Sequence, residues 1–152
     1  MESLPIRCST TLSDYAGNLI KAKTSIVYLG ACIDASGNIQ SELNRRIGMA
    51  TADFKVLSRI WSHANIKKKR KYQIYLSCIV SKLLYGLQTA WLTKIQRRKL
   101  DGFHARCLRR IAGIKHPFFS RVSNNDVLAI MEARPLSIML LEFQLKYFKN
   151  NK

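Results

Sequence analysis

A chain of 152 residues, 47% of them hydrophobic, can bury a core of its own and is too apolar to be disordered. Its 26 Lys and Arg against 9 Asp and Glu give a formal net charge of +17, an excess that fits a phosphate backbone or an anionic membrane as partner. The most apolar stretch, residues 79–92, is interrupted by Lys82, Gly86, Gln88 and Thr89. It falls short of the roughly 20 apolar residues of a membrane span.

The start, Met1-Glu2-Ser3-Leu4-Pro5, lacks the basic and then apolar pattern of a signal peptide. The expectation is an intracellular protein, cytoplasmic or nuclear, with no membrane partner. Residues 1–38 are neutral overall, so the net charge lies in residues 39–152. Residues 67–116 hold fourteen basic side chains and a single acid, Asp101. A solvated helix face ordinarily mixes the two signs, so this run favours a polyanion over plain solvation.

Residues 1–23 are polar and give no firm element. Residues 25–33, Ser-Ile-Val-Tyr-Leu-Gly-Ala-Cys-Ile, are apolar and β-branched and are followed by the turn cluster at 34–38. This predicts one strand entering a hairpin-type turn, with a very short partner near Ile39 or one from elsewhere in the chain. Leu43, Ile47, Ala50, Phe54, Leu57 and Trp61 then recur at helical spacing. They predict an amphipathic helix over 41–62, capped by Ser41, with Arg45, Arg46, Lys55 and Arg59 facing outward.

A second helix is expected from Lys67 to about Tyr85, with Tyr72, Tyr75 or Leu76, Ile79, Leu83 and Leu87 inward and Gly86 at its end. Its first turn, Lys67, Lys68, Lys69, Arg70 and Lys71, sets five cations at the positive end of the helix dipole, which a bound phosphate chain would offset. A third helix spans 93–112. Leu100, Phe103, Cys107, Leu108 and Ile111 form its apolar side, and Gly113 stops it. Ser123 caps a short helix over 124–133, and Pro135 opens a last one over 136–148 that is apolar nearly all round. Trp61 and Trp91 read as core. The expected fold is mostly α: a short N-terminal β-hairpin-like segment and a bundle of about five helices.

Cys8, Cys32, Cys78 and Cys107 include no CxxC pair. His104 and Cys107 lie three apart on one helix, half of a zinc set at most. The plainer reading packs Cys107 as a small apolar residue and turns His104 to solvent. No metal site and no cofactor are expected.

Several short motifs follow one another in order: Tyr28-Leu29-Gly30; a helix beginning with Arg46-Ile47; Leu84-Tyr85-Gly86 and Trp91; residues 103–114, Phe-His-Ala-Arg-Cys-Leu-Arg-Arg-Ile-Ala-Gly-Ile; and residues 121–125, Arg-Val-Ser-Asn-Asn. Over residues 24–150 this series resembles the region just downstream of the catalytic core in reverse transcriptases of non-LTR (LINE-type) retrotransposons. The resemblance implies that residues 1–40 are the end of a palm, with Tyr28, Leu29 and Gly30 positioning the primer. It implies that residues 41–152 are a thumb clamping template–primer. The family's aspartate box has no counterpart here, and two-metal chemistry needs converging carboxylates. The chain therefore reads as a non-catalytic fragment, with magnesium expected only in a full-length polymerase.

Expected partners are RNA, DNA or an RNA–DNA hybrid, and the missing fingers and palm. The expected contacts are Lys67, Lys68, Lys69, Arg70, Lys71, Arg97, Arg98, Lys99, Arg106, Arg109 and Arg110, with Arg45 and Arg46 secondary. Competing readings are a stand-alone nucleic-acid-binding protein, a basic interaction or membrane-surface module, and a degenerate remnant.

Overall fold

A computed structural model describes residues 13–19, 23–28, 30–35, 37 and 39–150. The protein is mostly helical, with one small antiparallel sheet at its N-terminal side. The sheet is a hairpin of β1 (Ser25–Tyr28) and β2 (Ala31–Asp34), in register from Ser25↔Asp34 to Tyr28↔Ala31. The apolar run expected to form one strand is thus folded back on itself at Gly30, and Asp34, expected to open the turn, is instead the last residue of β2. Gly30 has φ +79°, a conformation open to glycine without a Cβ penalty and suited to a two-residue hairpin connection.

The first helix, α1 (Gln40–His63), carries the expected stripe: Leu43, Ile47, Ala50, Phe54 and Trp61 are buried and Leu57 packs against them. Ser41 does not cap it. The N-cap is Ile39, without a side-chain hydrogen bond, and the Ser41 hydroxyl reaches the Asp34 carboxylate at 3.3 Å. The second expected helix is present as α2 (Lys68–Tyr75), a π-helical turn (Leu76–Val80) and α3 (Ser81–Leu84). The wider turn lets Ile79 and Val80, then Leu83 and Leu84, all reach the core. Ser77 Oγ bonds the Gln73 and Ile74 carbonyls there, and Ser81 Oγ bonds that of Ser77.

Gly86, with φ +75°, ends this helix and leads into a 3₁₀ turn (Leu87–Thr89). The central helix, α4 (Lys94–Ala112), starts with a capping box between Thr93 and Gln96 and stops at Gly113 in the left-handed conformation. Its expected apolar side is buried in full. Then come α5 (Pro117–Ser120), α6 (Asn124–Ile130), whose N-cap Ser123 pairs with Asp126, and α7 (Leu136–Asn150).

One core joins the helices, centred on Leu43, Tyr75, Ile79, Leu100, Leu108, Val127 and Leu136. The Phe54 and Tyr75 rings meet edge-on at 5.8 Å, and Tyr75 stacks on His104 at 5.6 Å. Among the described residues, no helix is long and apolar enough to cross a membrane.

Candidate nucleic-acid interface

The direction of α1 relative to α4 follows from three side-chain bonds. Gln96 Nε2 donates to Gln40 Oε1 at 3.2 Å, Lys99 Nζ to Asn44 Oδ1 at 2.5 Å, and Arg110 Nε to Ser58 Oγ at 2.9 Å. Residue numbers rise together, so the two helices run parallel. The seam from Asn44 to Ser58 is about 21 Å long at 1.5 Å per residue. At 100° per residue, Lys99, Arg106 and Arg110 share the face of α4 that borders this seam.

Midway lies an open groove of about 210 Å³. Its floor is Phe54, Phe103 and Cys107, and its rim is Lys55, Arg106 and Arg110. Among the described residues, no carboxylate lines it. The nearest acid in sequence, Asp53, is paired with Lys82 at 2.7 Å. Lys55 was legible as an outward cation but not as a partner of α4, because that pairing is tertiary.

The α2 cations occupy a separate place. Lys67 to Arg70 are exposed, and Lys68 and Lys69 border a groove of about 580 Å³ between α2 and α6, beside Tyr72 and Glu132. Lys71 is half-buried, with Nζ on the Trp61 carbonyl at 3.3 Å. Arg70 bonds Gln73 at 3.1 Å. Tyr75 is fully buried and Tyr72 half-buried, so packing takes both rings as expected. Arg97 is exposed and its Nε donates to the Leu92 carbonyl at 3.1 Å. Arg98 is exposed on the flank facing α6.

Three arginines depart from the expected solvent-facing set. Arg46 is buried. Its Nε bonds Glu42, Nη1 donates to the Lys82 carbonyl at 3.1 Å and Nη2 to the Gly30 carbonyl at 3.2 Å. Arg45 is half-buried, with Nη2 2.5 Å from the same Gly30 oxygen and Nε 2.8 Å from Glu42. Arg109 is buried, and its Nη2 donates to the Val122 carbonyl at 2.7 Å and to Asn124 Oδ1 at 3.1 Å. A buried guanidinium persists where carbonyls and carboxylates surround it, and that ties Arg46 and Arg109 to the protein rather than to a bound backbone.

Glu42 is the hub of the first cluster. Burial alone would raise its carboxyl, but hydrogen bonds from Arg45, the Cys32 N–H and Arg46 outweigh it and hold the group at about 2. The cluster gathers the short motifs of the sequence at one point. Gly30 is its acceptor, the Arg46 guanidinium lies 5.5 Å from the Tyr85 ring, and a Cβ on Gly86 would come within 3.1 Å of Arg46 Nη2. Of the residues expected to position a primer, Tyr28 is exposed, Gly30 is tied to α1, and Leu29 lies outside the described residues. Trp91, expected in the core, is 75% exposed. It follows the 3₁₀ turn, where no helical stripe draws it inward.

Cys107 is buried as expected, and burial pushes its thiol up to about 12, so it stays protonated. His104 does not face solvent. It is fully buried, and its Nδ1 lies 2.9 Å from the Tyr75 hydroxyl. Among the described residues, no three His, Cys, Asp or Glu side chains are grouped to hold a metal ion. No family model, curated protein or solved structure matches the chain.

Proposed function

We propose that this chain binds nucleic acid along the α1–α4 seam, as a helical module resembling the thumb of a non-LTR reverse transcriptase. The observation that carries this reading is the groove rimmed by Lys55, Arg106 and Arg110 without a lining carboxylate, with Lys99 further along the same face. Cations so placed neutralise successive phosphates and release counterions, which fixes a duplex without reading its sequence. A seam of about 21 Å matches roughly six base pairs at 3.4 Å each. The α2 cations would meet the partner beyond the end of α1. The role assigned to these residues is holding template and primer, DNA, RNA or their hybrid, not phosphoryl transfer.

A gel-shift titration with RNA–DNA hybrid, duplex DNA and duplex RNA tests it. Binding should vary little among duplex sequences. With six to ten phosphates contacted, affinity should fall by about 10³–10⁵ between 50 and 200 mM salt. Absence of binding at the lower salt would end the reading.

A second reading, docking of a basic surface on anionic lipid, is favoured by one observation. The last helix, expected to be apolar nearly all round, leaves Ile138, Leu141, Phe143, Leu145, Tyr147 and Phe148 of α7 exposed, beside Lys146 and Lys149. Co-sedimentation with phosphatidylserine vesicles, run beside the gel shift, separates the two.

A further inference from the structure

The turn that follows α4 displays two aromatic rings to solvent. Phe118 and Phe119, both on α5, are 81% and 73% exposed, and their rings meet edge to face at 5.3 Å and 90°. We propose that α5 is a stacking platform for single-stranded nucleic acid. One unpaired base fills the corner between the two rings, and Lys115 and Arg121 take the phosphates on either side. The strand it takes is one that leaves a bound duplex, so the platform rests on the reading of the α1–α4 seam as a duplex site.

The rings are held out on a pinned turn. Upstream, the Ile114 N–H donates to the Arg109 carbonyl at 2.9 Å, and downstream, Arg109 Nη2 donates to the Val122 carbonyl at 2.7 Å. Ile114 and Val122 both pack against the core. Between them the Phe119 N–H bonds the His116 carbonyl and the Arg121 N–H that of Pro117, each at 2.9 Å, and Ser120 Oγ bonds the Lys115 carbonyl at 3.1 Å. These bonds are made by backbone and by Ser120, so polar side chains at 118 and 119 would serve the fold as well. Core packing accounts for neither ring, and two adjacent exposed aromatics on a fixed turn mark a contact surface.

The charge around the rings identifies the occupant. No acid occurs between Asp101 and Asp126, and Asp126 accepts from the Ser123 N–H at 2.9 Å. Lys115 and Arg121 bracket the rings, are exposed, and form no ion pair among the described residues. Arg121 has φ +52°, the left-handed region where glycine is the usual choice at a helix end, so the turn keeps a cation where glycine would be free of strain. A polyanion that also offers flat aromatic faces is a single-stranded nucleic acid; in a duplex those faces are hidden in the stack. Perpendicular rings fit one base, its face against one ring and its edge towards the other. Anionic lipid fits less well, because Ser123, Asn124 and Asn125 beside the rings are exposed and polar, and two rings offer a bilayer little apolar area. The place agrees with a strand leaving the seam. Arg110, bonded to Ser58 at the seam's end, lies less than one helical turn before Gly113, where α4 stops and the chain enters this turn.

Fluorescence anisotropy on the whole chain tests the platform with a labelled blunt duplex, the same duplex carrying a 3′ or a 5′ thymidine tail, and the thymidine strand alone. Stacking of one base should make a tailed duplex bind about fivefold or more tighter than the blunt one. Phe118→Leu combined with Phe119→Leu keeps apolar bulk at two exposed positions and removes the aromatic faces. This double variant should melt as the parent does and bind the blunt duplex unchanged, while losing the tail's gain and a similar factor in affinity for the strand alone. Equal affinity for tailed and blunt duplexes, or a gain that survives in the double variant, overturns the platform. If the blunt duplex fails to bind the parent, the seam reading falls and the strand alone decides: binding that the double variant does not weaken overturns the platform as well. Loss of binding to phosphatidylserine vesicles in the double variant, with the tail's gain intact, would assign the rings to lipid and overturn it too.

Discussion

Glu42 and Arg46 are the residues at which helix periodicity misleads most. Both flank the stripe of Leu43 and Ile47, where a charged side chain ordinarily turns to water, yet each is 3% exposed. The clue in the sequence is their spacing of four, which makes them neighbours on one helix face. The Gly30 and Lys82 carbonyls that complete the cluster come from distant elements, so no local pattern shows them. Losing one partner of a buried pair strands the other charge, at a cost of about 3–5 kcal/mol. Arg46→Leu should therefore lower stability in urea by about 3 kcal/mol, since Arg45 and the Cys32 N–H remain on Glu42. Arg45→Ala, at a side chain 30% exposed, should cost about 1 kcal/mol or less. Equal losses would contradict Arg46 as the lock of the hairpin. His104 supplies a pH signature. Burial depresses it from 6.5 to about 4, so the unfolded chain takes up a proton before the folded one does. Its contribution is complete above pH 6.5 and is lost as pH falls towards 4, about 3 kcal/mol in all. Glu42, depressed from 4.5 to about 2, adds its loss only below pH 4.5. Melting curves from pH 7 to 4.5 should fall for the parent and stay level for His104→Gln.

Among the elements, the long helices were legible because their apolar residues recur at three and four, α4 also because Gly113 marks its end, and α6 because Ser123 reads as its cap. A hairpin-like segment at the N-terminal side was expected and is present, but the place of its turn was not legible. An apolar, β-branched run of nine residues satisfies a strand pattern so well that its central Gly30 passes for an interruption rather than a turn. The Ser41 cap failed for a related reason: a hydroxyl near a helix start competes for several partners, and Asp34 took it. The π-helical turn had no local signal, since it arises where two adjacent pairs of apolar residues must all face the core. Gly30 gives the test at this scale. A Cβ in the left-handed region costs about 1–2 kcal/mol, and β1 is exposed along its length with little packing to offset that. In Gly30→Ala, amide exchange at Ile26 and Ile33, a pair in hydrogen-bonding register, should accelerate while amides of α1 and α4 keep their protection. Uniform acceleration across the helices would mean that the hairpin and bundle unfold as one unit.

For the molecule as a whole, the charge was readable from the sequence and its distribution over the surface was not. The six basic residues from Arg97 to Arg110 on α4 look like one cluster in the chain, but a helix spreads neighbours by 100° each. Lys99, Arg106 and Arg110 face α1, Arg98 faces α6, Arg97 lies beside α7 and Arg109 is inside. Sequence density thus overstates how many cations one duplex can meet at once. The salt dependence of binding can count them, because each phosphate contact removed lowers the slope of log affinity against log salt by about one. Replacing Lys55, Arg106 and Arg110 together by Gln should weaken binding to every duplex alike and reduce that slope by about three. Their side chains are exposed at the groove rim, and α1 retains its contacts to α4 through Gln40 and Asn44, so the fold should persist. Replacing Lys67, Lys68 and Lys69 by Gln measures the α2 end in the same way, and it should change the slope less, since Lys68 and Lys69 border a different groove. A slope unchanged by the first set and reduced by the second would move the binding surface from the α1–α4 seam to the face between α2 and α6.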